Sequence, residues 1–201
     1  MNFLAHIYLS GENSNVMVGN FIGDFVKGRN LVDQFDPEIA MGIELHRSID
    51  DYTDHHPIVR ESKLRLRPKY RHYSPVIVDV YYDHFLSKYW SNYHDEPLLE
   101  FSVRTYKTLE SYRDVLPYGV SQLLPYMIKA NWLLNYGTFD GIAQALNGMS
   151  RRSRYDSRMD ESLAELREHY DAFKGEFEEF FPDLVTHCKY FLAMEDKNHL
   201  H

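Results

Sequence analysis

The chain has 201 residues, of which 44% are hydrophobic and 15% aromatic, enough for one domain with a sizeable core. Its formal net charge of −8 argues against general nucleic-acid binding. No apolar stretch approaches the roughly 20 residues that a membrane span needs, and the first residues lack the pattern of a signal peptide. The single cysteine, Cys188, excludes an internal disulfide and a cysteine-rich metal site. It fits the reducing cytoplasm, where we expect the protein to reside.

Helical signals follow one another along the chain. Asp36-Pro37 and Ser74-Pro75 predict helix starts, because Asp and Ser can cap and Pro suits the first turn. A stripe of apolar residues at helical spacing predicts a long helix near the carboxyl end. The predicted elements, in chain order, are two short helices on either side of a turn at 11–14, then 37–55, 76–92, a helix beginning at 97, 122–135, 139–149, a long helix broken at Pro182, and 184–194.

No segment shows the period-two alternation of strands, and no internal repeat or low-complexity linker is present. The prediction is therefore an all-α, single-domain, multi-helix bundle over residues 1–194, with a frayed tail at 195–201. Residues 60–74 are predicted to form a long connection or an exposed arm.

Positive charge is concentrated in two islands in this acidic chain. The first contains Arg60, Lys63, Arg65, Arg67, Lys69 and Arg71, and the second contains Arg151, Arg152, Arg154 and Arg158. Such islands indicate a localised anionic partner. The alternative is that both are solvated surface segments.

Two segments carry histidine and carboxylate at helical spacing. His46 and Asp50 lie four residues apart, so both project from one helix face and suit a catalytic divalent ion. Arg47 beside them can grip a phosphate. The alternative is that His46 and Asp50 hydrogen-bond each other on a helix surface.

The second segment contains Asp79, Asp83 and His84 among apolar neighbours. A helix that faces the core would not keep these residues without partners, since unpaired buried charge is costly. His6 and Asp24 add candidates near the amino end, although a lone histidine in such a setting is more often a satisfied core residue.

Five short motifs occur in a specific order, and together they resemble one family. They are Asn2-Phe3-Leu4-Ala5-His6, Gly19-Asn20-Phe21-Ile22-Gly23-Asp24-Phe25-Val26, His46-Arg47-Ser48-Ile49-Asp50, Asp83-His84-Phe85-Leu86 and Leu146-Asn147-Gly148-Met149. The set resembles the bacterial acyl carrier protein phosphodiesterases over residues 1–192. The resemblance implies an all-helical fold like that of an atypical HD-domain phosphohydrolase.

The resemblance also implies a reaction, a cofactor and a partner. The reaction is the hydrolytic removal of the 4′-phosphopantetheine arm from holo acyl carrier protein, with a divalent ion, commonly Mn²⁺, and Mg²⁺ or Fe²⁺ as alternatives. Acyl carrier proteins are small and acidic, so the island from Arg60 to Arg71 is the candidate docking surface.

Site residues follow from the resemblance by position. It implies metal binding by Asp24, His46, Asp50, Asp79 and Asp83. It implies catalytic roles for Arg47, His6 and His84, with Arg47 on the phosphoryl group and a histidine as proton donor to the leaving serine. Arg151 and Arg152 are implied in substrate binding. HD-domain proteins use an adjacent His-Asp pair. Here the adjacent pair is Asp83-His84, and His46 and Asp50 are separated by a helical turn. The resemblance therefore leaves open which candidates bind the metal directly and which orient a ligand.

Two other functions remain open from the residues. One is a nucleotide phosphohydrolase, which would share the metal site but not a protein docking surface. The other is a non-catalytic helical module that binds acidic proteins through its basic arm, which leaves the clustered His and Asp unexplained.

Overall fold

A computed structural model describes residues 1–198 of the chain. This part consists of helices joined by short turns and 3-10 segments, without a strand. The α-helices are α1 (Phe3–Tyr8), α2 (Ser14–Ile22), α3 (Pro37–His55), α4 (Pro57–Tyr70), α5 (Ser74–Lys88), α6 (Leu98–Ser111), α7 (Tyr118–Lys129), α8 (Trp132–Asn135), α9 (Phe139–Arg152), α10 (Leu163–Glu168) and α11 (Tyr170–Asn198). The all-α prediction is confirmed. None of the described helices is long and apolar enough to cross a membrane.

Helix α5 runs through the centre of the bundle and packs against α1, α4, α8, α9 and α11. Its aromatic side chains are fully buried, as expected of a helix that is apolar nearly all round. Tyr82 packs against Phe177 and Phe180 of α11, with ring centroids 5.6 Å apart in both pairs. These aromatic contacts join α5 to α11 within the core.

Helices α2 and α3 approach each other at backbone contact. A Cβ atom on Gly19 would lie 2.0 Å from the Ile39 carbonyl oxygen, and one on Gly42 would lie 2.1 Å from the Val16 carbonyl oxygen. Neither position therefore tolerates a side chain. The contact brings the carboxyl end of α2 onto the middle of α3, where His46 lies.

The predicted arm at 60–74 is wrong, because residues 57–70 form helix α4. Val59, Ser62, Leu66 and Tyr70 are buried along one side of it, at three- and four-residue intervals. The apolar stripe is thin and lies among many basic residues, so the charge hides the helical period in the sequence.

The predicted break at Pro182 is also wrong, because α11 continues through it. Proline inside a helix removes one hydrogen bond and costs about 3 kcal/mol. Phe180, Phe181 and Leu184 are fully buried on either side of Pro182. Their burial, worth roughly 1.5–3 kcal/mol for each side chain, outweighs that cost. The helix includes residues 195–198 of the predicted frayed tail, and 199–201 lie outside the described residues.

The single helix predicted at 122–135 is two helices, α7 and α8. The break falls at Asn131, which has a left-handed backbone (φ 39°) and whose side chain accepts a hydrogen bond from the Leu134 N–H. Asparagine is one of the few residues that adopt this conformation at low cost. The chain therefore turns here without glycine.

Candidate active site

Two buried imidazoles stack on each other where α1, α2 and α3 meet. The rings of His6 and His46 are 4.0 Å apart between centroids and nearly parallel. Both Nδ1 atoms donate to Asn20 at 2.8 Å, His6 to the side-chain oxygen and His46 to the backbone carbonyl. The Asn20 amide nitrogen donates in turn to the His6 carbonyl and to Ser10, so its oxygen must face the imidazole. One asparagine therefore sets the tautomer of both histidines and leaves both Nε2 atoms pointing the same way.

Asp50 completes the cluster on the Nε2 side. Its carboxylate oxygens lie 3.3 Å from His6 Nε2 and 3.2 Å from His46 Nε2. Each of His6, His46 and Asp50 offers one ligand atom, and these three atoms lie within 4.8 Å of one another. Asp24 adds a carboxylate oxygen 3.3 Å from His46 Nε2. Two imidazole nitrogens and carboxylate oxygens are ligands that first-row divalent metals accept.

The hydrogen-bond acceptors around His6 are arranged in a way that a cation would fit. Burial lowers the pKa of His6 and outweighs the opposing hydrogen bond to Asp50, so the ring is neutral. With the proton on Nδ1, the Nε2 lone pair faces the Met1 carbonyl oxygen at 3.2 Å and Asp50 at 3.3 Å. The His6 Nε2 atom, the Met1 carbonyl oxygen and an Asp50 carboxylate oxygen then face one another with no proton between them. A divalent ion fits such a place, since it accepts lone pairs from all of them.

The remaining members of the cluster carry charge. Burial opposes protonation of His46, but hydrogen bonds and charges from Asp24 and Asp50 raise its pKa to about 9. Although burial opposes it, the hydrogen bond from His46 and the charge of the nearby Met1 amino group hold the pKa of Asp50 well below its usual range. The hydrogen bond from His46 likewise lowers the pKa of Asp24. Both carboxylates are ionised at neutral pH. His46 is protonated at that pH, so metal binding to its Nε2 atom would release a proton.

Asp79 joins the cluster through the amino group of Met1. That nitrogen lies 3.0 Å from Asp79 and 3.6 Å from Asp50. Burial opposes the charge, but the two carboxylates raise the pKa of the amino group to about 10. Asp79 therefore neutralises a buried ammonium next to the cluster.

Asp83 and His84 belong to other hydrogen-bond networks. The Asp83 carboxylate accepts the backbone N–H groups of Asn2, Leu4 and Ala5 at 3.2, 2.7 and 3.3 Å, which caps the start of α1. His84 donates from Nδ1 to the Tyr136 carbonyl at 2.8 Å and accepts from the Tyr170 hydroxyl at 3.0 Å. The structure does not bring these two side chains to His6 and His46.

Arg47 is turned toward a loop. Its guanidinium donates to Glu44 at 2.8 Å and to the Gly28 carbonyl at 2.7 Å. It thus ties α3 to the segment that follows Asp24. Its assignment to phosphate stays a prediction.

A cavity of about 460 Å³ opens beside the cluster. Asn2 and Asp24 border it on the side of the histidines, and apolar side chains form most of its wall. Arg152 also lines it, as does Tyr136, whose hydroxyl accepts from the Asn2 amide at 3.2 Å. Burial raises the pKa of Tyr136 well above its usual value, against a small opposing effect of the Arg152 charge. Within the described chain Arg152 makes no ion pair, so its guanidinium is available to an anion. Arg151 lies exposed beside it.

Two residues of this site are missing from the set of candidates that the sequence suggests. Asn20 was part of a recognised motif but carries no charge. Gly23 approaches His46 so closely that a Cβ atom on it would lie 2.3 Å from His46 Cγ. Both lie in the segment from Gly19 to Asp24, where a polar residue among apolar ones and two glycines was the available signal.

The predicted docking island is partly neutralised. Lys63 pairs with Asp54 at 2.6 Å, Arg65 with Glu176 at 2.7 Å and Lys69 with Glu165 at 2.8 Å. Arg60, Arg67 and Arg71 are exposed and form no ion pair within the described residues. The residues that stay available to a partner are therefore fewer than the sequence suggests.

A hydrogen bond brings the two basic islands together. The Tyr73 hydroxyl lies 2.6 Å from the Ser153 hydroxyl. This contact places the start of α5, which follows Arg71, against the end of α9, which carries Arg151 and Arg152. Arg154 follows immediately in the chain and is exposed. The carboxyl end of the first island therefore adjoins the second.

A cluster of buried His and partly exposed Asp at the mouth of a cavity is typical of an active site, and with this fold it defines an all-α enzyme. Residues 1–184 match the family model of acyl carrier protein phosphodiesterases. The chain is 38% identical over 187 residues to the acyl carrier protein phosphodiesterase of Escherichia coli O6:H1, covering 92% of this chain and 96% of that relative. It is 38% identical over 192 residues to that of strain SE11, covering 94% and 98%. No solved structure gives a significant match. The chain belongs to the acyl carrier protein phosphodiesterase family, as its motifs predicted.

Proposed function

We propose that this chain is a metal-dependent phosphodiesterase that hydrolyses the bond joining 4′-phosphopantetheine to a serine of holo acyl carrier protein. The products would be apo acyl carrier protein and free 4′-phosphopantetheine. Family membership supports the reaction class and the carrier, since the relatives are named acyl carrier protein phosphodiesterases. The observation that carries the proposal is the convergence of His6 Nε2, His46 Nε2 and the Asp50 carboxylate beside a cavity.

His6, His46 and Asp50 would hold the ion. Two imidazoles and a carboxylate suit Mn²⁺ or Fe²⁺ better than Mg²⁺, which prefers oxygen ligands. When bound, the ion would supply Lewis-acid stabilisation of the phosphoryl charge. Asn20 would keep both imidazoles in the tautomer that can bind a metal through Nε2, because its oxygens accept a hydrogen bond from each Nδ1–H group.

Asp24 and Arg152 would act on the reacting groups. Asp24 is ionised, its side chain is 69% exposed, and it borders both the cluster and the cavity. Its carboxylate can accept a proton from the attacking water. Arg152 can donate to the non-bridging oxygens. The new bond joins water oxygen to phosphorus, and the bond to the serine oxygen breaks. That oxygen then takes a proton from solvent.

His84 has no proton-transfer role in this proposal. Both of its ring nitrogens are engaged, and burial lowers its pKa to about 4. It is neutral at neutral pH, and its Nδ1 proton is directed at a backbone carbonyl.

The carrier would dock on the joined basic surface formed by Arg67, Arg71, Arg151, Arg152 and Arg154. A groove at its α4 side is lined by Lys63, Arg67, Arg71 and His72. Helix α9 carries Arg152 from this surface to the cavity, so a carrier bound there would present its arm beside the cluster. The enzyme's net charge of −8 opposes an acidic carrier, and a local basic surface offsets that repulsion.

The test is incubation of the protein with holo acyl carrier protein and Mn²⁺, followed by intact-protein mass spectrometry. Loss of the mass of the arm is expected. Chelation should abolish turnover, and Mn²⁺ should restore it. Full turnover in a preparation shown to be free of metal would contradict metal dependence. Tight carrier binding without product would support a non-catalytic module, and phosphate release from nucleotides alone would support a nucleotide phosphohydrolase.

A further inference from the structure

The cavity beside the cluster is too apolar for a phosphate alone. Phe3, Phe25, Leu123, Trp132 and Met149 contribute to its wall. Its volume, about 460 Å³, lies in the range of small-molecule sites, about 300–1,000 Å³. A phosphoryl group at Asp24 and Arg152 would leave most of this space open for whatever is attached to the phosphate.

Gly148 on α9 indicates that the space is kept open. A glycine in the interior of a helix is unfavourable relative to alanine. At this position a Cβ atom would meet nothing closer than Arg152 Nη1 at 3.7 Å, an ordinary contact. No packing constraint therefore explains the glycine. Gly148 lines the cavity, as does Ala145 one turn earlier, and larger side chains at either position would project into it.

The polar groups of the cavity match a chain that carries amides. Asn2 lies at the end nearest the cluster, and Gln144 and Asn135 line the wall. Gln144 is exposed and makes no hydrogen bond to the described residues. Side-chain amides both donate and accept, so they can pair with secondary amides of a ligand. An apolar wall with a few such groups suits an extended, partly apolar chain.

We infer that this cavity is the binding site for the pantetheine portion of the arm, and that Gly148 and Ala145 keep it open. The identity of the ligand rests on the proposed function. The phosphate end would lie at Asp24 and Arg152, the dimethyl-substituted carbon next to it would pack on the aromatic wall, and the two amides beyond would face Gln144 and Asn135. Specificity for this arm over other phosphodiesters would come from the cavity and not from the cluster.

The binding test uses reduced pantetheine, which lacks the phosphate and so probes the cavity without the cluster. Trp132 lines the cavity and serves as a fluorescent reporter, while the chain's other tryptophan, Trp90, is buried elsewhere. We expect saturable quenching in the wild type and at least about tenfold weaker binding in Gly148→Leu and Ala145→Phe. The matched control is Asn147→Leu on the same helix, which is exposed and does not line the cavity. It should bind as the wild type does.

Activity separates this inference from the proposed function. Gly148→Leu and Ala145→Phe should lower kcat/KM for holo carrier at least about tenfold, while Asn147→Leu stays within about twofold. Circular dichroism checks that each variant folds, and the smaller Gly148→Ala, which adds one methyl group to a helix, should fold with a raised Tm and still weaken binding. Absence of pantetheine binding in the wild type, or binding that is unchanged in both cavity variants, would overturn the inference. Pantetheine binding without carrier turnover would retain the inference and reject the proposed function.

Discussion

Asn20 is the residue on which the geometry of the cluster depends. The side-chain oxygen of Asn20 accepts a hydrogen bond from His6 Nδ1, and its backbone carbonyl accepts one from His46 Nδ1. The two histidines lie on different helices, α1 and α3. Its partners lie 14 and 26 residues away in sequence, so the role follows from the backbone contact of α2 with α3. A neutral residue performs the orienting role for which the sequence suggested acidic ones.

Gly23→Ala tests how closely His46 is held. The added Cβ would lie 2.3 Å from His46 Cγ, so the imidazole has to move. Misplacement of a catalytic group by about 1 Å can cost on the order of 100-fold, and we expect a loss of that order in kcat/KM for holo carrier. Gly175→Ala on α11 is the control, since a Cβ there has no atom within 4 Å. Equal activity in the two variants would contradict a tightly held His46.

Two arginine substitutions distinguish the residues assigned to phosphate. Arg152→Lys keeps the charge but loses the planar fork, so kcat/KM should fall roughly tenfold. Arg47→Lys should change kcat/KM by no more than about a factor of two, because the structure directs that guanidinium to Glu44 and Gly28. Steady-state kinetics of both variants decide between the residues. A larger loss in Arg47→Lys would return the phosphate role to the residue that the sequence favoured.

Helix α5 uses its polar residues to fix neighbouring elements. Asp83 caps α1, the helix that carries His6, and His84 joins the turn after α8 to the start of α11 through Tyr136 and Tyr170. Both side chains are fully buried and hydrogen-bonded. Their burial in an apolar helix is thus explained by contacts between elements.

The cap on α1 predicts the effect of Asp83→Asn. Replacing a carboxylate oxygen with an NH₂ group sets a donor against backbone N–H donors, which should cost about 1–3 kcal/mol of stability. Denaturant unfolding of the wild type and the variant measures the difference. Since α1 carries His6, activity should fall as well, even under conditions where the variant is folded. A stability equal to that of the wild type would show that the cap contributes little.

His84 predicts a loss of stability in acid. Burial lowers its pKa from 6.5 in the unfolded chain to about 4 in the folded protein. The unfolded state therefore binds the proton first, so the contribution of His84 is complete above pH 6.5 and is lost as the pH falls toward 4. At about 1.4 kcal/mol per pKa unit, the loss approaches roughly 3 kcal/mol.

Unfolding measured across this pH range should show a steeper decline for the wild type than for His84→Gln, which cannot titrate. An NMR titration of the His84 ring in the wild type checks the same shift without a variant. A ring that titrates near pH 6.5 in the folded protein would contradict the prediction.

At the scale of the whole molecule, the joined basic surface predicts how the carrier binds. Reversing Arg67 and Arg154 to Glu should raise KM for holo carrier about tenfold and change kcat less, because both residues are exposed and neither lines the cavity. The wild-type KM should rise with salt, since exposed charges are screened beyond about 8–10 Å. The double variant should show a weaker salt dependence.

The matched control reverses Lys107 and Lys189, which are exposed on α6 and α11 and give the same change in net charge. If both double variants raise KM equally, then total charge and not this surface governs docking. Arg65 is unsuitable for such a test, because its pairing with Glu176 ties α4 to α11 and its reversal would disturb the fold.

The sequence by itself determined the helical class, the start and end of α3 at Pro37 and His55, and the cap of α9 at Thr138. Caps, prolines and apolar periodicity act within a few residues, so they are visible in the sequence. The ordered motifs identified the family. It also singled out His6, Asp24, His46 and Asp50. Tertiary structure alone decided that these four meet, that Asp83 and His84 lie apart from them, that the two basic islands adjoin and that α11 continues through Pro182. The physical reason is that these outcomes depend on side-chain packing between segments distant in the chain, which outweighs local preference and leaves no mark in local spacing.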